Sequence, residues 1–282
     1  PAVYSGIYFL INYGFIAKTL RGSSPFHERR FFVKKAARER SVLQNARYVM
    51  GRTHWDEMMS RLYNPDVTYF HVDEVLRSQF YASEPVPIVE KRVLNVVSTL
   101  SSTVYKGIDV LLKTAKPVQQ LTSIEIQWRV AGIDSSDKLL HHFERKEGIN
   151  HRSVGIECIG RKSPEELRKL LSDSDVFVHP SYIDNSPNSV CEAQMIGLPV
   201  VACDVGGLST LIKHEETGLL TPSNGVFELV HYLRRLFNEK ELRSRLGAGA
   251  REAAMQRHDK DTIADSLVGA YRDILRLHSC NK

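Results

Sequence analysis

Short apolar runs alternate with amphipathic stretches along the chain from residue 92 onward. The runs are rich in Val, Ile and Leu, as buried strands are, and the stretches between them repeat apolar residues every three or four positions, as helices do. Strands are predicted at 92–98, 125–131, 155–159, 176–179, 200–203 and 218–221. Helices are predicted at 107–116, 135–146, 164–172, 189–196, 208–213, 227–237, 239–255 and 261–277. This alternation predicts an α/β fold with a doubly wound, Rossmann-like parallel sheet.

Capping residues support two of these helix boundaries. Ser163 precedes Pro164 and stands three residues before Glu166, which is the pattern of a capping box with proline at the first helical position. Gly197 follows the helix at 189–196, where a left-handed residue commonly ends a helix. Local chemistry and periodicity therefore agree.

The segment before residue 92 is less regular. It predicts a basic amphipathic helix near 31–44, a strand at 48–50 and a helix at 53–63, and residues 84–87 read as a linker. We therefore expect a partial N-terminal domain at 1–83, a linker at 84–91, a sheet domain at 92–258 and a last helix at 259–282. Residues 1–83 are too few to form a partner domain as large as the sheet domain.

The chain opens at Pro1 on an uncharged apolar run at 3–16. The run is too short and too interrupted for a membrane span, and no basic region precedes it as in a signal peptide. We expect it to belong to a larger core whose upstream part is missing. An interfacial membrane segment is the alternative.

Composition and charge narrow the function classes. With 42% hydrophobic and 25% charged residues, the chain is typical of globular proteins and unlike disordered or collagen-like ones. Its 4 cysteines have no metal-ligand spacing, which favours reduced thiols and a cytoplasmic setting. Residues 1–61 hold 11 Lys and Arg against 4 acids. A solvated helix face and attraction to an anionic membrane or a phosphorylated substrate both remain open, whereas no groove-reading motif favours nucleic acid.

Polar residues follow several predicted strands, at the edge where open parallel sheets bind ligands. The first loop carries Ser101, Ser102 and Lys106 ahead of a helix, a combination that suits a phosphate, with a capped turn as the alternative. Gly160 and Arg161 follow the third strand, where they could face a nucleotide or simply be solvated.

The loop after the fourth strand is the most informative segment. It places Asp184 and Glu192 with seven residues between them, so that two carboxylates face one crevice. The residues between them that we assign to the same site are Asn185, Ser186, Pro187, Asn188 and Ser189. After the fifth strand, Gly206 and Gly207 supply flexible backbone that a ligand could approach closely.

Four segments, taken in order, resemble one enzyme family. They are YKGIDVLL at 105–112, VFVHPS at 176–181, NSPNSVCEA at 185–193, and GLPVVA at 197–202 continuing through 206–207 to TGLL at 217–220. Over residues 45–275 the chain is similar to the retaining, nucleotide-sugar-dependent glycosyltransferases of the GT-B fold, the glycosyl transferases group 1 or family 4 type. The resemblance implies a donor-binding sheet domain beside an incomplete N-terminal domain.

The resemblance also implies roles for the site residues. Glu192 matches the acid that binds the ribose hydroxyls of the donor, and Lys106 matches the lysine that neutralises its diphosphate. Asp184 stands where the family has a glutamate near the transferred sugar. Ser101 stands where the family has a second cation, and Arg161 is a candidate substitute.

The implied reaction moves a sugar from a nucleoside-diphosphate sugar to an acceptor hydroxyl with retention, without metal or cofactor. Acceptors would be glycans or lipid-linked, in polysaccharide or glycolipid synthesis, with the protein cytoplasmic or peripheral at the inner membrane face. We expect these 282 residues to bind nucleotide but to turn over poorly or not at all.

Besides a nucleic-acid binder that would use the basic N-terminal segment, three alternative functions compete with this one. A noncatalytic nucleotide-sugar-binding subunit is favoured by Asp184 and Ser101, and a sugar-nucleotide 2-epimerase shares the fold. A dinucleotide-dependent oxidoreductase is disfavoured, because the Gly-x-Gly at 247–249 follows a helix and not a strand. The Asp-Ser-Asp triplet at 173–175 has the form of a metal-binding pair, but its place at a helix end indicates a cap and turn.

Overall fold

The computed structural model describes residues 25–82, 92–122 and 124–279, and side chains from residue 30 onward except at 31. The apolar run at 3–16 and the linker predicted at 84–91 lie outside the described residues. The described chain divides into two compact units. The smaller unit comprises the described residues up to Gly51 together with Asp56–Phe70, and the larger comprises Arg52–Trp55 and the described residues from His71 onward.

The larger unit is built on a six-stranded parallel sheet. Its strands are β3 (Val93–Thr99), β4 (Glu125–Ala131), β5 (Ile156–Cys158), β6 (Val176–His179), β7 (Val200–Cys203) and β8 (Leu219–Thr221). Their order across the sheet is β5-β4-β3-β6-β7-β8. The order reverses between β3 and β6, and such a reversal opens a crevice at the carboxyl ends of the strands. The predicted doubly wound sheet is confirmed.

Helices cover both faces of this sheet. They are α3 (Ile108–Thr122), α4 (Lys138–Glu147), α5 (Pro164–Ser172), α6 (Asn188–Ile196), α7 (Leu208–Leu211), α8 (Val226–Asn238), α9 (Lys240–Arg257) and α10 (Lys260–Ser279). α3 packs with α4 and α8, whereas α6 packs with α9. All four residues of β6 are buried, and they alternate between two hydrophobic clusters, with Val176 and Val178 in one and Phe177 in the other. A strand covered on both faces reads as a continuous apolar run for this reason.

The capping predictions are confirmed. Ser163 Oγ accepts from the Glu166 N–H, and the Ser163 N–H donates to Glu166 Oε2, which completes the capping box. Gly197 ends α6 with a φ of 80°. Asp173 lies at the carboxyl end of α5, and Asp175 Oδ2 accepts from the Asn95 N–H at 2.9 Å. The Asp-Ser-Asp triplet therefore serves the turn between α5 and β6.

The smaller unit holds the rest of the described secondary structure. It contains α1 (Pro25–Asn45), β1 (Tyr48–Gly51), most of α2 (His54–Tyr63) and most of β2 (Thr68–His71), with β1 and β2 forming a two-stranded sheet. The sequence pattern did not predict β2. The described side chains of α1 are nearly all exposed, including its basic residues. No helix in the described ranges is both long and apolar enough to cross a membrane.

Candidate functional site

Glycines bring three loops together at the carboxyl edge of the sheet. A Cβ on Gly107, whose φ is 78°, would overlap the Pro180 carbonyl oxygen, and the Tyr182 N–H donates to the Tyr105 carbonyl at 2.8 Å. The loop after β3 thus lies against the loop after β6. A Cβ on Gly206, whose φ is 56°, would overlap the Asp184 carbonyl oxygen in the same way. The close approach expected at this glycine is made by the protein's own backbone.

Asp184 accepts hydrogen bonds from two side chains delivered by this packing. Its Oδ2 lies 2.5 Å from Lys106 Nζ and 3.0 Å from His179 Nε2, and its Oδ1 accepts from the Asn185 N–H at 3.1 Å. Burial acts to raise the pKa of this carboxyl, but the hydrogen bonds from His179 and Lys106 and the positive charge of Lys106 outweigh it and hold the pKa at about 2. Asp184 is therefore a carboxylate at any physiological pH.

His179, at the end of β6, is buried and takes a single defined tautomer. Burial lowers its pKa, so the ring is neutral, and an ionised Asp184 can only accept a proton, so Nε2 must carry the hydrogen. Its Nδ1 is buried with no hydrogen-bond partner. The ring therefore acts as a fixed donor that holds Asp184 in place.

Glu192 is the most buried acid of the site. It lies on the second turn of α6 with 3% of its side chain exposed, and its two oxygens accept from Arg77 Nε and Nη2, both at 2.7 Å. The hydrogen bond to Glu192 raises the pKa of Arg77. A two-point guanidinium–carboxylate pair is among the strongest ionic contacts in proteins. Arg77 precedes a short 3₁₀ turn at Ser78–Phe80, and its guanidinium lies 5.1 Å from the centre of the buried Phe80 ring.

A cleft of about 270 Å³ opens over this pair. It is lined by Glu74, Val75, Leu76, Arg77, Thr99, Leu167, Asn188, Ser189 and Glu192. Thr99 ends β3, and Asn188 and Ser189 begin α6, so the cleft lies at the crevice between β3 and β6 where the strand order reverses. Hydroxyl, amide and charged groups thus converge on one volume large enough for part of a nucleotide.

A short segment ahead of α2 also reaches this edge of the larger unit. Thr53 Oγ1 donates to Asn185 Oδ1 at 2.7 Å, and Arg52 Nη1 donates to Asn188 Oδ1 at 3.2 Å and to Glu74. The loop between Asp184 and Glu192 is therefore braced on two sides, by Gly206 and by Thr53.

The structure gathers some of the predicted site residues and separates others. Glu192, Asn188 and Ser189 line the cleft, while Lys106, Asp184 and Asn185 form the adjoining cluster. Ser186 is half-buried and Pro187 is buried between these two groups. Ser101 and Ser102 are exposed on the loop after β3, where Ser101 Oγ lies 3.1 Å from Thr103 Oγ1.

Gly160 and Arg161 are not brought into the cleft. They follow β5, which is the edge strand of the sheet, two strands away from β3. Arg161 is exposed and forms no ion pair with another described residue. No group of three or more His, Cys, Asp or Glu within the described ranges could hold a metal ion.

Two residues of the site escaped sequence reasoning. His179 carried a signal, because it is the only polar residue of a buried strand and stands at its ligand-binding end. Arg77 carried none, because it lies in an irregular segment and its partner is 115 positions away.

Comparison with known proteins gives this arrangement a context. The family model described as "Glycosyl transferases group 1" matches residues 82–253. The D-inositol 3-phosphate glycosyltransferase of Corynebacterium aurimucosum is 27% identical over 178 residues, covering 61% of this chain and 41% of that protein.

Solved structures with a similar fold include the following two. Sucrose-phosphate synthase from Thermosynechococcus elongatus superposes with a TM-score of 0.70 at 24% identity, covering 85% of this chain and 61% of that one. The Anabaena protein HepE in complex with UDP-glucose gives 0.65 at 20% identity, covering 81% and 65%. The chain spans less than half the length of the first curated relatives that it matches.

Proposed function

The chain belongs to the glycosyl transferases group 1 family and its sheet unit has the fold of GT-B glycosyltransferases, and from this we propose that it forms the donor-nucleotide site of a glycosyltransferase. The whole protein would move a sugar from a nucleoside-diphosphate sugar to an acceptor hydroxyl. UDP-glucose is the ligand of the structurally similar HepE, which supports a donor of this class.

The observation that carries the proposal is the position of Glu192. A carboxylate at the crevice between β3 and β6, in a cleft with Thr99, Asn188 and Ser189, can accept hydrogen bonds from the two adjacent hydroxyls of a ribose. A nucleoside diphosphate presents such a vicinal diol next to a charged diphosphate. The cleft therefore suits the nucleoside end of such a donor.

Lys106 and Asp184 are proposed to act on the diphosphate and on the transferred sugar. As the bond to the sugar breaks, negative charge grows on the departing diphosphate, and an ammonium held at a fixed position stabilises that charge. Asp184 stays ionised because Lys106 and His179 hold its pKa at about 2, so it can face the positive charge that develops on the sugar. The acceptor hydroxyl would attack from the face the diphosphate leaves, which retains the configuration, and no metal is required.

The acceptor and the setting follow from the basic N-terminal region. α1 carries exposed Arg30, Lys34, Lys35, Arg38 and Arg40, which would be drawn to anionic lipid headgroups. We propose a glycan or lipid-linked acceptor at the inner face of the cell membrane, in polysaccharide or glycolipid synthesis.

Thermal unfolding with millimolar UDP, GDP and ADP, each with and without EDTA, tests the donor site. A ligand at about 100 times its dissociation constant adds roughly 2.7 kcal/mol to the free energy of unfolding, which raises Tm by several degrees. We expect one diphosphate to do so, with no effect of EDTA, and to lose its effect in Glu192→Gln.

Glu252→Gln, an exposed acid on α9, is the matched control and should keep the shift. If no diphosphate raises Tm, or if Glu192→Gln keeps the full shift, the donor-site assignment is wrong. If binding occurs but the full-length protein transfers no sugar, a noncatalytic nucleotide-sugar-binding subunit replaces the enzyme.

A further inference from the structure

Arg77 is the one positively charged residue among the described residues that line the cleft. Its side chain is 42% exposed, whereas Glu192 beneath it is almost wholly covered. Two of its N–H groups donate to Glu192, and the face of its guanidinium lies over the Phe80 ring. The guanidinium therefore covers the Glu192 carboxylate at the floor of the cleft. The carboxylate assigned to the ribose is therefore reached only past Arg77.

A ribose diol and Arg77 compete for the same two oxygens. Both oxygens of Glu192 accept from Arg77 at 2.7 Å, in the end-on geometry that a vicinal diol would also use. With 3% of the side chain exposed, those oxygens are almost wholly covered in this arrangement. A diol can bind only when the guanidinium moves aside, which its exposed edge permits.

Moving Arg77 separates two charges, and each then needs a new partner. The diol supplies two hydrogen bonds to Glu192, but it offers nothing anionic to Arg77, and a buried ion pair broken without compensation is costly. Phosphate groups on the same ligand can receive the guanidinium, which binds phosphate with the same two-point geometry. Two other cations lie nearby: Arg52 donates to Glu74 and Asn188, and Lys106 pairs with Asp184. Arg77 would therefore add its charge to the one that Lys106 presents to the diphosphate.

We propose that Arg77 is a specificity-determining residue that exchanges Glu192 for the phosphates of the bound nucleotide, so that the cleft selects nucleoside diphosphates over nucleosides. The inference rests on the proposed function, because it takes Glu192 to be the ribose-binding acid. A ligand shifts the position of Arg77 only to the extent that it binds the open arrangement better than the closed one. A nucleoside would separate Arg77 from Glu192 and leave Arg77 without an anionic partner. A nucleoside diphosphate would separate the same pair and also supply phosphate groups that Arg77 can bind.

Calorimetric titration with uridine, UMP and UDP, or the matching series of the base selected by thermal unfolding, tests the exchange. In the wild-type chain we expect the diphosphate to bind at least about 100-fold more tightly than the nucleoside. In Arg77→Met the ratio should fall by about tenfold or more, because the diphosphate loses a cation while the nucleoside no longer has to displace one. Arg234→Met, an exposed arginine on α8, should leave the ratio unchanged.

The outcomes distinguish a failure of the Arg77 exchange from a failure of the proposed donor site. If the wild-type chain binds no nucleoside diphosphate, the donor site itself is wrong and the exchange falls with it. If binding occurs and Arg77→Met keeps the wild-type ratio, or weakens all three ligands equally, Arg77 only positions Glu192 and the exchange is wrong.

A measurement on the wild-type chain covers the case in which Arg77→Met fails to fold. The Nε–H resonance of Arg77 in ¹⁵N spectra, assigned by its loss in Arg77→Lys, reports the bond to Glu192. Saturating diphosphate should move this resonance strongly, while the resonance of Arg234 stays in place. An unmoved Arg77 resonance at saturation would show that the pair never opens.

Discussion

At the scale of single residues, the ionisation of Asp184 depends on Lys106. The ammonium lies 2.5 Å from Oδ2, and an opposite charge at this range lowers a carboxyl pKa by about 1–3 units. In Lys106→Met, burial continues to raise the pKa of Asp184 while the hydrogen bond and the charge of Lys106 are gone, so this pKa should rise from about 2 towards the ordinary carboxyl range. Carboxyl ¹³C shifts of Asp184 followed from pH 6 downward measure this rise.

Lys138→Met on α4 is the control for this titration, since Lys138 is exposed. In Lys138→Met, the carboxyl ¹³C shift of Asp184 should stay at the value of the ionised carboxylate down to about pH 3, as in the wild-type chain. An Asp184 that titrates identically in Lys106→Met would mean that His179 and the Asn185 N–H hold the carboxylate alone.

The sequence reveals where reactive side chains stand but not which of them pair. Lys106, Asp184 and Glu192 could be found because each follows a strand, and the carboxyl ends of parallel strands meet at one edge of the sheet. The bond from Arg77 to Glu192 could not, because no periodicity connects an irregular segment with a helix 115 residues later. Arg161 also follows a strand, but that strand, β5, lies at the edge of the sheet and away from the cleft. The alternation of strands and helices along the sequence does not predict the order of the strands in the sheet.

At the scale of elements, one glycine decides the position of the loop that carries Asp184. Gly206 has a φ of 56° and its Cα faces the Asp184 carbonyl so closely that a Cβ cannot fit. Gly206→Ala should lower the free energy of unfolding by about 1–3 kcal/mol and weaken nucleotide binding, because the backbone at 184–185 must move. Urea unfolding and the thermal shift with the selected diphosphate measure the two effects.

Gly269→Ala is the matched substitution on α10, where a Cβ would meet nothing within 4 Å. Alanine in a helix interior should stabilise the protein by about 0.5–1 kcal/mol and leave nucleotide binding alone. Equal effects of the two substitutions would contradict the role given to Gly206.

The elements that the pattern located best are those with a simple burial pattern. β6 and β7 begin and end where the apolar runs do, since both of their faces are covered. β4 does so as well, although exposed Glu125 and Gln127 alternate with its buried residues. α3 extends to Thr122, well past the predicted end at 116, because buried Val118 packs the helix through Pro117 despite the proline. β2, at Thr68–His71, has no fully buried residue and therefore left no apolar run to detect.

At the scale of the molecule, acid should destabilise the fold in two stages. Burial and the charge of Arg257 lower the pKa of His258 to about 4. Between pH 6.5 and 4, His258 is therefore protonated in the unfolded chain and neutral in the folded chain. Stability is then lost as pH falls, by on the order of 2–3 kcal/mol for this residue. Urea unfolding at pH 7 and pH 4.5 should show a smaller loss in His258→Gln than in the control His231→Gln, an exposed residue.

The second stage belongs to carboxylates held ionised by the fold. Despite the opposing effect of burial, hydrogen bonds from His151 and His141 lower the pKa of Glu144 to about 2. The pKa of Asp184 is also lowered to about 2. Their contribution is fully present above the ordinary carboxyl range and is lost as pH falls from about 4.5 towards 2. Equal acid sensitivity of His258→Gln and the wild-type chain between pH 7 and 4.5 would contradict the first stage.

The strand order also fixes when the site comes into being during synthesis. β3, β4 and β5 form one half of the sheet and leave the ribosome first, whereas β6, β7 and β8 form the other half. Arg77 and Lys106 emerge with the early half, and both of their carboxylate partners arrive with the late one. A nascent chain that ends before β6 therefore displays two uncompensated cations at an open sheet edge, and the binding cleft is among the last features to be completed.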